Sequence, residues 1–194
     1  MEPKLIILDL DGTVRQCIEH KAPCHNKSGQ WEIIPGTQEV LGRYDWTRVG
    51  VGFVSNQAPI AYGQTTTAAV EHEIQLTIKA LFPDWPLVTV VDEKITDTIY
   101  SMHYERRRMP ERGPVFRYSP AHPDASDPRR KPSPYLLLDL VLSYKERMDK
   151  TLFVGDSLED KIAADRASVN FMTSWEFFNR KPQEFNTIKA HESR

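Results

Sequence analysis

Apolar and polar positions along the chain fall into two regimes. Lys4–Leu8, Val49–Val54 and Thr151–Val154 are short, nearly continuous apolar runs that end in small or polar residues. That is the pattern of strands buried on both faces of a parallel sheet. A weaker run, Val169–Met172, predicts a fourth strand. Between these runs the period lengthens. Val70, Ile74, Ile78 and Leu81 recur at helical spacing in a stretch from about Thr65 to Leu81. A short helix is predicted after Pro35 and Gly36, through Val40 and Leu41. Ser133 and Pro134 read as N-cap and first residue of a helix carrying Leu136 to Leu142, and another helix covers Leu158 to Ala167. Strands alternating with helices predict an α/β fold with a mainly parallel central sheet.

The segment from Asp84 to Lys131 breaks this rhythm. Leu87–Val91 and Ile95–His103 fit strand or helix equally, and Val115–Tyr118 fits a short strand. Arg106, Arg107, Arg108 and Arg112 make a local basic run, and Pro120, Pro123, Pro128 and Pro132 punctuate a long loop. Loops of that length inside compact domains are usually functional or disordered. Composition narrows the classes further. The 194 residues suit one domain, or one with a modest appendage. Acidic and basic side chains number 27 and 25, so net charge exerts no overall pull toward nucleic acid or an anionic membrane. No run approaches the roughly 18 apolar residues of a membrane span. The first residues lack the regions of a signal peptide, and two cysteines cannot build a disulfide framework. The expectation is a cytoplasmic, reduced protein without membrane contacts.

Candidate chemistry sits where the strands stop. In Leu8-Asp9-Leu10-Asp11-Gly12-Thr13-Val14, two carboxylates project from one side of the chain at the carboxyl end of a strand, and Gly12 permits a sharp turn. Such a pair invites a hard cation with oxygen ligands, most simply Mg²⁺. Alone, it reads as readily as a solvated acidic turn. Three later features shift that balance. Ser55-Asn56-Gln57 ends the second strand with a hydroxyl and two amides suited to an anionic oxygen. Arg130-Lys131-Pro132 places cations before a helix. Gly155-Asp156-Ser157-Leu158-Glu159-Asp160 ends another strand in an acidic loop. Each has a bland reading: Ser55 as a helix cap, Lys131 as a solvated charge, Asp160 as a first-turn residue favoured by the helix dipole. Their occurrence in order, at successive strand ends, outweighs those readings together.

The ordered set DLDGTV, VSNQ, RKP and VGDSLED resembles the haloacid dehalogenase (HAD) superfamily of phosphohydrolases. SNQ and RKP resemble its subfamily III, which holds histidinol-phosphate and heptose-bisphosphate phosphatases and the 3′-phosphatase domain of polynucleotide kinase/phosphatase. The resemblance covers about Lys4 to Ser174 and implies a three-layer Rossmann-like fold. It implies Asp9 as nucleophile forming an aspartyl-phosphate, and Asp11 as acid to the leaving oxygen and then base to the hydrolytic water. Mg²⁺ would be held by Asp9, the backbone carbonyl of Asp11, and Asp156. Ser55 and the amide of Asn56 would hold phosphoryl oxygens, and Lys131 would offset negative charge. Asp160 would position Lys131 or a metal-bound water, and Arg130 would contact substrate beyond its phosphate. Gly12, Thr13 and Gln57 would support the set. The implied organisation is a phosphatase domain over 1–178, with a basic insertion near 103–131, followed by a tail over 179–194.

Departures from the family pattern carry information. Several bacterial relatives place a zinc loop, roughly C-P-H-x-P, ahead of RKP. Here Tyr118-Ser119-Pro120-Ala121-His122-Pro123 retains only His122 and no thiol, and Arg129 stands where a cysteine belongs. Four tetrahedral ligands cannot be assembled from it, so no structural zinc is expected. Cys17, His20, Cys24 and His25 form a second cluster of ligand types, but its spacing matches no common zinc finger and a free-thiol loop is the preferred reading. Lys27, Gln30 and Trp31 of that loop are candidate substrate contacts. The spacing between motifs leaves no room for a large cap, predicting an open site. The leading function is a Mg²⁺-dependent phosphomonoesterase acting on a small phosphorylated metabolite or sugar phosphate. The alternative is a 3′-phosphatase on nucleic-acid ends, suggested by the Arg106–Arg108 run with Tyr104, Phe116 and Tyr118 nearby. Phe171 to Phe178 likewise resembles the tail of the polynucleotide phosphatase domain. No Walker A sequence is present. A non-catalytic binding module of the same fold is the alternative of another class.

Overall fold

The computed structural model describes residues 2–19, 29–84, 114–122 and 127–181. Five parallel strands form the central sheet: β1 (Leu5–Asp9), β4 (Gly50–Asn56), β5 (Val115–Ser119), β6 (Thr151–Gly155) and β7 (Asn170–Thr173), in the spatial order β5-β4-β1-β6-β7. Parallel neighbours need crossovers, and helices supply them. These are α1 (Thr37–Leu41), α2 (Thr67–Leu81), α3 (Tyr135–Tyr144) and α4 (Leu158–Ala167), with a final short helix α5 (Ser174–Phe177).

The central strand explains why the apolar runs are continuous. Along β1, Leu5 and Ile7 point into one core with Leu137 and Leu140 of α3 and Ala163 and Ala164 of α4. Ile6 and Leu8 point into the other, with Ile74 and Ile78 of α2 and Phe177 beside α1. Both faces are covered, so no position along the strand is left for a solvated side chain. The result is the parallel α/β fold expected from the chain's pattern, in the three-layer arrangement implied by the family resemblance. No helix among the described residues is long and apolar enough to cross a membrane.

Most expected elements are present with shifted ends. The helix expected from Thr65 begins at Thr67, where the Thr66 hydroxyl accepts from the Ala69 amide. The helix expected to cap at Ser133 begins at Tyr135, with Pro134 at the cap position. The short helix α5 and one antiparallel pair were not anticipated. β2 (Arg15–Cys17) and β3 (Trp31–Ile33) pair antiparallel just beyond the first motif. Each has three residues, too few to display a period of two. Cys17 is buried there opposite Trp31, whereas His20, Cys24, His25 and Lys27 lie outside the described residues. So do Leu87–Val91, Ile95–His103 and the Arg106–Arg112 basic run. Phe116 and Tyr118, read above as aromatics of a nucleic-acid groove, are core residues at 0% and 5% exposure. In β5 they face α2, and the Tyr118 hydroxyl donates to Glu71. Neither offers a ring face to a base.

Candidate active site

Parallel register brings the motifs together. Asp9 pairs with Val54, and Leu8 with both Phe53 and Val154, so Asp9, Ser55, Gly155 and Asp156 emerge side by side at the carboxyl edge of the sheet. Ligands of open α/β sheets bind along that edge. Gly12 follows in a left-handed conformation, φ 95°, which reverses the chain directly after Asp11.

Three buried carboxylates, Asp9, Asp156 and Asp160, bring ligand oxygens within 4.8 Å of one another. Lys131 lies among them, its Nζ donating to Asp9 Oδ1 and to Asp160 Oδ1, each at 2.5 Å. Asp160 is set by the helix it starts. Its second oxygen accepts from the Ser157 amide and hydroxyl at 3.1 and 2.6 Å, while Ser157 Oγ accepts from the Asp160 amide at 3.1 Å. This capping box makes the Asp160 carboxylate part of the α4 N-terminus, and Lys131 inherits its position from it. Burial raises the Asp9 carboxyl well above its usual range, against the pull of Lys131 and with a push from Asp160 and Asp156. Burial also opposes charge on Lys131, but Asp160 and Asp9 outweigh it and hold the ammonium above the ordinary lysine value. Three buried carboxylates thus crowd around one ammonium, and the raised Asp9 carboxyl reflects that crowding. A hard divalent cation with oxygen ligands fits both that charge and that donor set.

The Asp11 side chain stays out of this cluster. Its carboxylate accepts from Arg15 Nε at 2.7 Å and from Gln57 Nε2 at 2.8 Å, and the same Gln57 amide donates to Ser55 Oγ at 2.8 Å. Both amides expected to meet an anionic oxygen are therefore committed within the protein. Asn56 Oδ1 accepts from the Lys131 amide at 3.0 Å, and its Nδ2 donates to the Lys131 carbonyl at 3.1 Å and to Glu159 at 3.2 Å. The Asn56 side chain thus anchors the RKP backbone. Thr13 donates to Asp156 at 3.4 Å and, through its carbonyl, accepts from Arg180 Nη1 at 2.9 Å. Arg130 is 8% exposed, and its buried Nη1 has no hydrogen-bond partner among the described residues. His122 packs edge-on against Tyr62. Trp31 donates to Glu73 of α2 rather than facing the cleft alone. Sequence reasoning missed Arg15, Glu159, Gly155 and Arg180. Only Gly155 carried a signal, as a glycine beside the carboxylate at a strand end.

Comparison with known proteins gives a consistent result. The model of the family described as polynucleotide kinase 3 phosphatase matches residues 4–187. The D-glycero-β-D-manno-heptose-1,7-bisphosphate 7-phosphatase of Bordetella bronchiseptica is 28% identical over 169 residues, covering 84% of this chain and 76% of that one. The structure of D,D-heptose 1,7-bisphosphate phosphatase from B. bronchiseptica, complexed with magnesium and phosphate, superposes with a TM-score of 0.63 at 27% identity. It covers 87% of this chain and 78% of its own. A HAD-like protein of Mesorhizobium loti shares the fold, with a TM-score of 0.55 at 19% identity over 87% of this chain and 70% of its own.

Proposed function

Because the chain belongs to the polynucleotide kinase 3 phosphatase family and is a phosphatase of the HAD superfamily, we propose that it hydrolyses phosphomonoesters through an aspartyl-phosphate on Asp9, with Mg²⁺ as cofactor. The observation that carries this reading is the buried Asp9 carboxylate at the end of β1, flanked by Asp156, Asp160 and Lys131.

In this reading Asp9 attacks phosphorus and the bond to the leaving oxygen breaks. Asp11 gives that oxygen a proton, then takes one from the water that releases phosphate, and the Asp9 carboxylate is regenerated. Mg²⁺, held by Asp9, Asp156 and the Asp11 backbone carbonyl, would supply charge compensation between carboxylate and phosphate. Ser55 and the backbone amide of Asn56 hold phosphoryl oxygens, and Lys131 offsets their charge while Asp160 fixes Lys131. The Arg130 guanidinium, whose Nη1 has no partner among the described residues, would contact the substrate beyond its phosphate. Gly12, Thr13 and Gln57 shape and brace the loop. The proposed organisation is one catalytic domain over 1–178 extended by 179–194, with Arg180 tying that extension to Thr13 and Thr37.

A small phosphorylated metabolite or sugar phosphate is the substrate class favoured by the heptose-bisphosphate phosphatase relative. The family match favours a second reading, a 3′-phosphate at a nucleic-acid end. A panel of sugar phosphates, histidinol phosphate and a 3′-phosphorylated oligonucleotide, assayed with Mg²⁺, separates them. Turnover of sugar phosphates with an inert oligonucleotide supports the first reading; the reverse pattern establishes the second. Release of phosphate from every substrate by the Asp9→Asn variant would sink the mechanism.

A further inference from the structure

Arg15 is a buried charge that the mechanism above leaves without a task. It lies at the start of β2, four residues beyond Asp11, and is 4% exposed. Its Nε takes one oxygen of the Asp11 carboxylate at 2.7 Å, and Gln57 Nε2 takes the other at 2.8 Å. With both oxygens held, the carboxylate cannot rotate without breaking a buried hydrogen bond. Arg15 is itself held from outside the cleft. Its Nη1 donates to Thr77 Oγ1 at 2.9 Å and to the Glu73 carbonyl at 3.5 Å, both on α2. The guanidinium carbon lies 5.7 Å from the centroid of the Trp31 ring on β3, and Trp31 Nε1 donates to the Glu73 carboxylate at 2.5 Å. Two elements distant from the motifs in sequence, α2 and β3, therefore reach Asp11 through one guanidinium. Buried ion pairs add little stability over apolar packing of the same shape, so simple adhesion between β2 and α2 does not explain this arrangement.

We propose that Arg15 is a positioning residue that fixes the Asp11 carboxylate at the place from which it exchanges protons, an inference that rests on the Asp9 and Asp11 roles above. The two half-reactions need Asp11 differently. With an aryl phosphate, the bond between phosphorus and the aryl oxygen breaks with its electron pair going to oxygen, and the phenolate leaves without a proton. In the second half, water attacks phosphorus, Asp11 accepts the water proton, and the electron pair of the bond to Asp9 returns to the Asp9 carboxylate. With an alkyl phosphate the first half also needs Asp11, to protonate the departing alkoxide. Misplacing Asp11 should therefore spare aryl release and slow everything after it.

The test is pre-steady-state turnover of an aryl phosphate and an alkyl phosphate by the Mg²⁺-loaded protein. Arg15→Gln is expected to keep a burst of phenolate equal to the enzyme present, followed by a steady rate lowered about 100-fold. Its alkyl phosphate turnover should fall by a similar factor from the first cycle, without a burst. In an Asp11→Asn background the same change should cost less than about twofold, because the residue it positions is gone. Should Arg15→Gln fold poorly, Arg15→Lys gives the same burst with a smaller loss, and free guanidinium ion restores the steady rate of Arg15→Ala without accelerating the wild type. A burst and steady rate slowed alike, an unchanged steady rate, or an equal loss in the Asp11→Asn background would each overturn the proposal alone. Turnover that survives Asp9→Asn would overturn the mechanism beneath it, and the proposal with it.

Discussion

A Cβ placed on Gly155 would lie 2.5 to 2.6 Å from three atoms of the Asp160 side chain. That side chain is fully buried and tied to Ser157 and Lys131, so it has nowhere to withdraw. Gly155→Ala is therefore predicted to displace Asp160, loosen Lys131 and lower phosphatase turnover at least about tenfold. The accompanying strain should cost about 1–3 kcal/mol in urea unfolding. Wild-type turnover in that variant would mean that the Asp160–Lys131 contact is dispensable. Asp9→Asn behaves oppositely on the two axes. Turnover should drop by about 10³-fold or more, while the melting temperature of the metal-free protein should not fall, because a buried negative charge has been removed from a crowded set. At this scale the candidate residues were legible wherever they punctuate an element. Asp9, Ser55, Asp156 and Lys131 all stand at strand ends or before a helix, and strand ends can be read from apolar runs. The choice of hydrogen-bond partner cannot. Nothing local distinguishes an Asn56 that meets phosphate from one that clasps the Lys131 backbone, because that pairing spans elements distant in sequence. Arg15 is only four residues from Asp11, but the contacts that aim it there come from α2 and β3.

Elements carry a second layer of control. Tyr144, the last residue of α3, donates to the Val51 carbonyl at 2.5 Å and accepts from the Val115 amide at 3.2 Å, joining one helix to two strands. Tyr144→Phe removes this bridge and leaves both backbone groups short of a partner, so it should cost about 1–3 kcal/mol in thermal or urea unfolding. Burial also lifts the Tyr144 phenol above the ordinary tyrosine value of 10.0, overriding the opposing Val115 amide. The unfolded chain therefore loses this proton at lower pH than the folded one. The stability it contributes is complete below about pH 10 and declines as pH rises toward the folded value. Tyr144→Phe should flatten that alkaline decline, and an unchanged slope would show that another group causes it. The longer elements were visible because their apolar period runs uninterrupted over a buried face. β2 and β3 were not, since three residues on an exposed-rimmed hairpin show no period, and their pairing depends on Arg15 and Trp31 reaching α2.

Over the whole molecule, a formal net charge of −2 conceals a concentrated acidic site. Asp9, Asp156 and Asp160 are held together by folding, and one lysine compensates them incompletely. Folding alone therefore leaves crowded negative charge that a divalent cation would offset. Mg²⁺ at roughly a hundredfold above its dissociation constant should raise the melting temperature by about 5–10 °C, and a chelator should reverse it. Asp156→Asn should abolish the shift, and a shift of full size in that variant would place the cation elsewhere. The central claim is that a phosphoryl group passes through Asp9, and the most direct test is to trap it there. The Asp11→Asn protein, mixed with Mg²⁺ and an aryl phosphate, quenched in acid, reduced with borohydride and analysed by peptide mass spectrometry, should show Asp9 converted to homoserine in proportion to the phenolate burst. A burst or sustained turnover with Asp9 recovered unmodified would contradict the account.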